Sequence, residues 1–254
     1  MEPAQPHLDP DEVDLPAFGL AEDLPALDGD WHTHARPQLL YATSGAMRLY
    51  TGRRIAVLPP QRAAWIPGGV AHRVQCGRPV QLRTVYFPAG NDGELVVFEA
   101  PPLLREMARE ACEWGLSPPE TEAGAAFFVA FEGLVSGWRA SALTLSLPAA
   151  TTPALQRGLD HLLARLGRPV GLADAAKAAG MSPRTLQRRC KKELGVGLSE
   201  WLQQARVLRA LELLADPEVQ IGEVALRCGY QSQAAFTRVF QRRLGVAPSV
   251  WRRG

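Results

Sequence analysis

The 254-residue chain has few of the features that mark secreted or membrane proteins. Its four cysteines show no close pairing along the sequence, and thiols of this kind in a cytosolic protein are by default buried and reduced. The acidic, proline-rich N-terminus has no basic segment followed by an apolar stretch, so no signal peptide is expected. The longest apolar run, around residues 125–135, contains Glu132 and is too short to span a bilayer. These absences predict a cytoplasmic protein that does not enter the membrane.

Lysine is also scarce, and the total charge of +2 hides an uneven distribution. Residues 151–254 hold 17 Lys and Arg against 8 Asp and Glu, whereas residues 1–150 hold 11 against 18. A basic region attracts nucleic acid, while phosphates repel an acidic one. The charge pattern therefore predicts that the C-terminal part binds DNA and that the N-terminal part has another task.

A helix-turn-helix pattern occurs twice in the last hundred residues. Each copy has small residues in a first helix, a glycine for the left-handed backbone of the turn, and a serine that can cap the second helix. Four pairs of equivalent residues lie fifty positions apart: Ser182 and Ser232, Leu186 and Phe236, Arg188 and Arg238, Leu194 and Leu244. One such match is frequent by chance and fits a solvated charged face equally well. Two copies in step predict two recognition helices.

The second helix of each copy has an apolar face and a polar face. Leu186, Cys190 and Leu194 recur every four residues and form the predicted inner stripe of the first copy. Arg and Gln carry planar groups that match the edges of guanine and adenine in the major groove. The predicted DNA-binding residues are Arg184, Thr185, Gln187, Arg188 and Lys191 in the first copy and Gln233, Thr237, Arg238 and Gln241 in the second.

A long amphipathic helix, predicted over residues 199–215, separates the copies and can hold them about 34 Å apart, one turn of DNA. Five short motifs lie in this region: Gly-Met-Ser at 180–182, Leu-Gln-Arg at 186–188, Cys-Gly-Tyr at 228–230, Phe-Thr-Arg at 236–238 and Gly-Val-Ala-Pro at 245–248. Through these motifs residues 167–253 resemble the AraC/XylS family of bacterial transcription regulators. The resemblance implies sequence-specific binding to promoter DNA, with most base contacts from the first recognition helix and phosphate contacts from the second. RNA polymerase is a further expected partner if the regulator is an activator.

The N-terminal part has short apolar segments separated by Gly and Pro, a pattern typical of a barrel or sandwich. We expect an α+β protein with a β-barrel, two helices after it, and a C-terminal all-α domain of two helix-turn-helix units. The predicted boundaries are a flexible acidic tail at 1–25, the barrel at 26–100, helices at 101–140, a linker at 141–153 and the DNA-binding domain at 154–254.

Three histidines of the predicted barrel stand in two motifs. His32 and His34 precede Gln38 and Gly45 with the spacing H-x-H-x3-Q-x6-G, and residues 67–72 read P-x-G-x2-H up to His72. These motifs resemble the cupin superfamily, a small jelly roll. Residues two apart in a strand face the same side, so His32 and His34 are expected to converge with His72. Three imidazoles and an oxygen from Gln38 suit one divalent transition metal such as Zn, Ni, Fe or Mn.

The sequence departs from the cupin pattern at two positions. Gln38 stands where the family has a glutamate, and Cys76 stands where it has an asparagine. Both departures argue against a redox-active oxygenase, so we expect a regulator without enzyme activity whose barrel senses a small molecule or a metal. Three alternatives stay open: a metal-free pocket in which the histidines contact an organic effector, a cupin metalloenzyme fused to a DNA-binding domain, and a constitutive regulator whose ligand-free barrel serves dimerisation.

An apolar stripe follows the barrel. Leu103, Leu104, Met107, Ala111 and Trp114 recur at helical spacing. The stripe fits two roles, contact with the helix of a second subunit or cover for the barrel. We expect the N-terminal part to form a homodimer.

Overall fold

The computed structural model describes residues 8–90, 93–140, 142 and 145–253. The chain divides into two compact units, one made of residues 1–51 and 60–144 and one made of residues 52–59 and 145–254. The first unit is rich in strands and the second is mostly helical, so the predicted α+β class is confirmed. None of the described helices is long and apolar enough to cross a membrane.

The first unit contains two groups of antiparallel strands. One sheet has the order β1-β8-β3-β6-β9. Its strands are β1 (Phe18–Leu24), β3 (Gln38–Ser44), β6 (Arg62–Ile66), β8 (Val80–Tyr86) and β9 (Val96–Glu99). In the other group β7 (His72–Cys76) pairs with both β2 (Leu27–Asp28) and β4 (Met47–Thr51). The register places Tyr86 opposite Phe18 on one side and opposite Gln38 on the other.

Two helices, α1 (Pro102–Trp114) and α2 (Glu122–Arg139), cover the sheet that contains β1, β8 and β9. Leu104 and Ala111 of the predicted stripe are fully buried, and Met107 and Trp114 pack against the same core. Leu103, in contrast, is 53% exposed. The stripe on α1 therefore covers the barrel, which is the second of its two predicted roles.

The second unit is built from helices around one long central helix. Strand β5 (Arg54–Leu58) pairs with β10 (Ser146–Pro148). The helices are α3 (Pro153–Leu163), α4 (Leu172–Ala179), α5 (Pro183–Arg189), α6 (Leu198–Leu214), α7 (Ile221–Arg227), α8 (Gln233–Leu244) and α9 (Pro248–Arg252). Trp201 of α6 and Phe236 and Phe240 of α8 are fully buried and anchor the core. The connecting helix between the two helix-turn-helix copies is confirmed as α6.

The structure corrects two predicted boundaries. The flexible tail was expected to reach residue 25, yet β1 begins at Phe18 and pairs with β8 along its whole length. The acidic composition of this segment is compatible with a strand because the Glu22 carboxylate accepts a hydrogen bond from the Thr84 hydroxyl of β8. The linker expected at 141–153 contains β10. Residues 1–7, 141, 143 and 144 lie outside the described part of the chain.

Candidate functional site

The first helix-turn-helix copy consists of α4 and α5, which meet at Gly180. The φ angle of Gly180 is 66°, a left-handed conformation in which a Cβ atom meets steric resistance. The amide of Met181 donates to the carbonyl oxygen of Ala176 at 3.0 Å and closes the end of α4. The serine that follows caps α5 with its hydroxyl. These bonds fix the direction in which α5 leaves the turn.

The second copy, α7 and α8, repeats this turn. Gly229 has a φ angle of 79°, and the amide of Tyr230 donates to the carbonyl oxygen of Ala225 at 3.0 Å. A Cβ atom at Gly229 would lie 2.3 Å from the carbonyl oxygen of Leu166. Glycine is therefore required here both by the backbone conformation and by close packing.

The structure supports the predicted division of each recognition helix into two faces. Leu186 and Cys190 in the first copy and Phe236 and Phe240 in the second are fully buried. Seven of the nine side chains assigned to DNA contact are exposed: Arg184, Gln187, Arg188, Lys191, Gln233, Arg238 and Gln241. Thr185 and Thr237 are half-buried. The Thr185 hydroxyl lies 2.9 Å from that of Ser182, so it belongs to the helix cap.

The first recognition helix departs from regular α-helical geometry at its end. Helix α5 ends at Arg189 and continues as a π-helical turn over Cys190–Leu194. A π turn holds more residues than an α turn, so it shifts the direction of the side chains that it carries. Regular spacing placed Lys191 in line with Arg184 and Arg188. Lys191 lies on the π turn, and its direction therefore differs from the one that this spacing implies.

The π turn also carries a carboxylate that binds the start of α3. The carboxylate of Glu193 accepts hydrogen bonds from the amides and hydroxyls of Thr151 and Thr152 at 3.0–3.2 Å. Arg189 donates to the Thr152 hydroxyl at 3.3 Å. This contact could not be predicted from the sequence, because partners some forty residues apart share no local pattern.

Helix α6 holds the segment before α3 in a similar way. The indole nitrogen of Trp201 donates to the carbonyl oxygen of Pro148 at 3.0 Å, and the amide of Gln204 donates to the carbonyl oxygen of Ser146 at 2.5 Å. Strand β10 is thus bonded to the helix that connects the two copies.

The three predicted histidines do meet in the first unit. His32 and His72 pair through both backbone hydrogen bonds, each 3.0 Å long, in an isolated β-bridge. His34 follows two residues later, and its ring centroid lies 5.0 Å from that of His72. The nitrogen atoms that can bind a metal all lie within 4.8 Å of one another. The predicted convergence is confirmed, although residues 32–34 do not form a regular strand.

One nitrogen of each ring faces a backbone carbonyl. The Nδ1 atoms of His32, His34 and His72 lie 3.1, 2.6 and 2.8 Å from the carbonyl oxygens of Asp30, Arg36 and Val70. A carbonyl oxygen can only accept, so Nδ1 carries the proton in each ring. The Nε2 atoms of His34 and His72, which are buried without a hydrogen-bond partner, then keep their lone pairs, which is the arrangement found behind metal-binding histidines.

Gln38 brings a fourth polar atom to the cluster. Its amide nitrogen donates to the Tyr86 hydroxyl at 3.0 Å. Its Oε1 atom is buried without a hydrogen-bond partner, as are the Nε2 atoms of His34 and His72. Unsatisfied buried polar atoms are costly, so three of them in one place indicate a binding site. Tyr86 was not predicted from the sequence, because a tyrosine in a strand carries no signal of such a role.

The cluster is buried unevenly. His34 and His72 are 4% and 1% exposed, whereas His32 is half-buried. Desolvation lowers the pKa of His34 below its usual 6.5 and that of His72 to about 4, and the neighbouring His32 adds to both effects. Both rings are therefore neutral at pH 7, the state that a metal ligand requires.

A glycine turn supports the cluster. A Cβ atom at Gly68 would lie 2.1 Å from the carbonyl oxygen of Ala35, and the amide of Gly69 donates to the carbonyl oxygen of His34 at 2.8 Å. Asp11 accepts from the amide of Ala35 at 2.7 Å. Gly69 belongs to the motif at residues 67–72, whereas Gly68 and Asp11 were not predicted from the sequence as contacts of the histidine segment.

Both the N-terminal and the C-terminal part of the chain match known protein families. The family model described as AraC-like ligand binding domain matches residues 16–97, and a helix-turn-helix domain model matches residues 175–254. The transcriptional regulator NimR of Escherichia coli K12 is 28% identical over 91% of this chain and 85% of NimR. The transcriptional activator RhaR of Klebsiella pneumoniae is 35% identical over 41% of this chain, a region that spans 38% of RhaR.

Solved structures are similar over the C-terminal part. The DNA-binding domain of AdpA in complex with a target DNA is 33% identical over 40% of this chain and 92% of that domain, with a TM-score of 0.38. The chain belongs to the AraC family of transcriptional regulators, with an AraC-like ligand-binding domain and a helix-turn-helix DNA-binding domain.

Proposed function

We propose that this regulator senses a divalent transition metal through His32, His34 and His72, with Gln38 as a fourth ligand. One observation carries the proposal. The Nδ1 atoms of His34 and His72 face backbone carbonyl oxygens, and their Nε2 atoms are buried without a hydrogen-bond partner, so both lone pairs lie in one cluster with a ring nitrogen of His32. Three nitrogens and an amide oxygen suit Zn, Ni or Fe, and Mn is a weaker fit because imidazole is a softer ligand than carboxylate.

A metal-free pocket is the second candidate. In that case the same Nε2 atoms accept hydrogen bonds from an organic effector. Burial favours the metal, because the lone pairs of His34 and His72 and the oxygen of Gln38 lie close together and none of these atoms is a donor. One cation satisfies all of them at once.

We further assign promoter DNA to the exposed faces of α5 and α8, with base contacts from Arg184, Gln187 and Arg188 and further contacts from Gln233, Arg238 and Gln241. The support is their exposure opposite the buried stripe. Lys191 and Thr237 are assigned to the phosphates beside these faces, whereas the Thr185 hydroxyl serves the cap of α5. If the regulator is an activator, RNA polymerase is a partner.

We propose that the ligand-binding domain senses and does not catalyse, and that the protein acts in the cytoplasm as a homodimer. Gln38 supports the first statement, because a neutral amide replaces the carboxylate of the cupin pattern. Val129 and Leu134 support the last, because they leave apolar surface exposed on α2. Sedimentation of the full chain at micromolar concentration tests the dimer, and an oxygen-uptake assay tests the absence of catalysis.

The metal proposal is tested on the full-length protein. Elemental analysis after purification without chelator is expected to find one metal ion per chain in the wild type and none in His34→Ala. His161→Ala is the matched control, because His161 lies in α3 outside the cluster. A metal-responsive promoter reporter is expected to lose its response in His34→Ala while the purified variant still binds DNA. A metal-free wild type whose His34→Ala variant responds normally would refute the proposal.

A further inference from the structure

We infer that the metal site recruits an anionic ligand, a carboxylate or similar small oxyanion, at a coordination position beside His32. The inference rests on the proposed metal site and names the chemical class of the effector that binds there. It follows from the charge of the ligands and from the side on which the cluster is open.

The ligand set carries no charge. None of the three imidazoles and one amide carries a negative charge that compensates a divalent ion, and the Asp11 carboxylate acts on His34 only from outside the ligand set. In the described part of the chain no Asp or Glu joins the cluster. Asp11 accepts from the amide of Ala35, and Glu22 accepts from the hydroxyl of Thr84. A buried, uncompensated charge is costly, so the loaded site gains free energy when an anion enters.

The cluster is reached from one side. His34 and His72 are nearly inaccessible, whereas His32 retains accessible surface and follows Trp31, whose side chain is 54% exposed. A ligand from solvent therefore approaches the metal past His32. The deeper rings of His34 and His72, together with Gln38, would hold the ion from the buried side of the cluster.

Gln38 is the residue that decides this preference. A glutamate has nearly the same size but supplies one negative charge next to the metal. That charge strengthens metal binding and competes with an incoming anion, since like charges a few ångströms apart repel. The neutral side chain of Gln38 thus preserves the charge that attracts the effector.

The test uses full-length protein loaded with Co²⁺, whose visible absorption reports its ligands. Acetate and formate are expected to change the spectrum of the wild type, whereas acetamide, the neutral counterpart of acetate, leaves it unchanged. In Gln38→Glu, Co²⁺ is expected to bind at least as tightly and acetate at least about tenfold more weakly. Gln81→Glu is the matched control, because it adds the same charge at an exposed position of β8 outside the cluster.

The outcomes separate the two proposals. A wild type that binds no Co²⁺ refutes the metal site itself. A wild type that binds Co²⁺ but responds to acetamide as it does to acetate, or to neither, refutes the anion inference alone. Equal acetate affinity in wild type and a folded Gln38→Glu refutes the role of Gln38. If Gln38→Glu does not fold, the acetate and acetamide titrations of the wild type still decide the inference.

Discussion

Ser182 and Ser232 lie fifty residues apart and make the same hydrogen bond. Each hydroxyl accepts from the backbone amide three residues further on, Thr185 in one copy and Ala235 in the other, and both distances are 3.2 Å. Each bond satisfies one of the amides that the first turn of a helix leaves without a partner. The sequence repeat therefore places the same capping hydrogen bond at the start of both recognition helices, α5 and α8.

Replacement of either serine by alanine is expected to lower the free energy of unfolding by about 1 kcal/mol, because one helix cap is lost. The loss is smaller at Ser182 if the Thr185 hydroxyl, 2.9 Å away, replaces part of the cap. Urea unfolding measures both variants against Ser249→Ala, an exposed serine in α9 that is not a cap residue. An equal loss in Ser249→Ala would contradict the capping role.

Arg188→Ala is expected to weaken binding to the specific promoter site by about 1–3 kcal/mol and to relax the choice of one base pair, because the side chain is exposed on the face of α5 assigned to the major groove. Binding titrations with specific and random DNA at two salt concentrations measure both effects. Arg157→Ala removes the same charge from the exposed surface of α3 and serves as control. Equal weakening on both DNAs would show that Arg188 contacts phosphate.

Local patterns in the sequence were sufficient to predict the helix-turn-helix copies and the histidine cluster. Gly180 and Gly229 are required by the backbone of a turn, and His32 and His34 stand two residues apart, so short spacings carry the information. The prediction of a flexible tail up to residue 25 was wrong because it used composition alone. Strand β1 in this segment depends on pairing with β8, about sixty residues away. Contacts over such distances have no local pattern.

The same reasoning explains which contacts of the sites were not predicted. Tyr86 bonds Gln38 from a neighbouring strand, and Glu193 bonds Thr152 from another helix. Each partner is an ordinary residue of its own element. Only the three-dimensional register brings them together, whereas motif residues such as Gly69 are visible in the sequence.

Glu193→Gln is expected to lower stability at neutral pH. Burial alone raises the pKa of the Glu193 carboxyl, but hydrogen bonds from Thr152 and Thr151 outweigh it, so the folded-state pKa lies below its usual 4.5. The unfolded state therefore binds the proton more readily, and the stabilisation is present above about pH 4.5 and is lost as the pH falls below it. Unfolding free energies at pH 7 and pH 4 are expected to differ less in Glu193→Gln than in wild type.

Glu218→Gln provides the control for this comparison, because Glu218 is exposed in the turn between α6 and α7 and its replacement removes the same charge. A wild-type pH dependence between pH 7 and pH 4 in both variants would show that the bonds of Glu193 to the threonines add nothing to stability.

Metal binding is expected to raise the melting temperature of the wild type. In variants that lack one of the four ligands, the rise is expected to be smaller or absent. An ion that binds only the folded state stabilises it by RT ln(1 + [metal]/Kd), about 2.7 kcal/mol at a hundredfold excess over Kd. Gln38→Ala keeps all three imidazoles and retains a reduced shift. His72→Ala loses the most deeply buried ligand, 1% exposed, and is expected to show none. Thermal melts with Zn²⁺ and with Ni²⁺ measure this rise in melting temperature, with His161→Ala as the control. The rise is expected to be largest in the wild type and the control, smaller in Gln38→Ala and absent in His72→Ala. The same shift in all four proteins would place the bound metal outside this cluster.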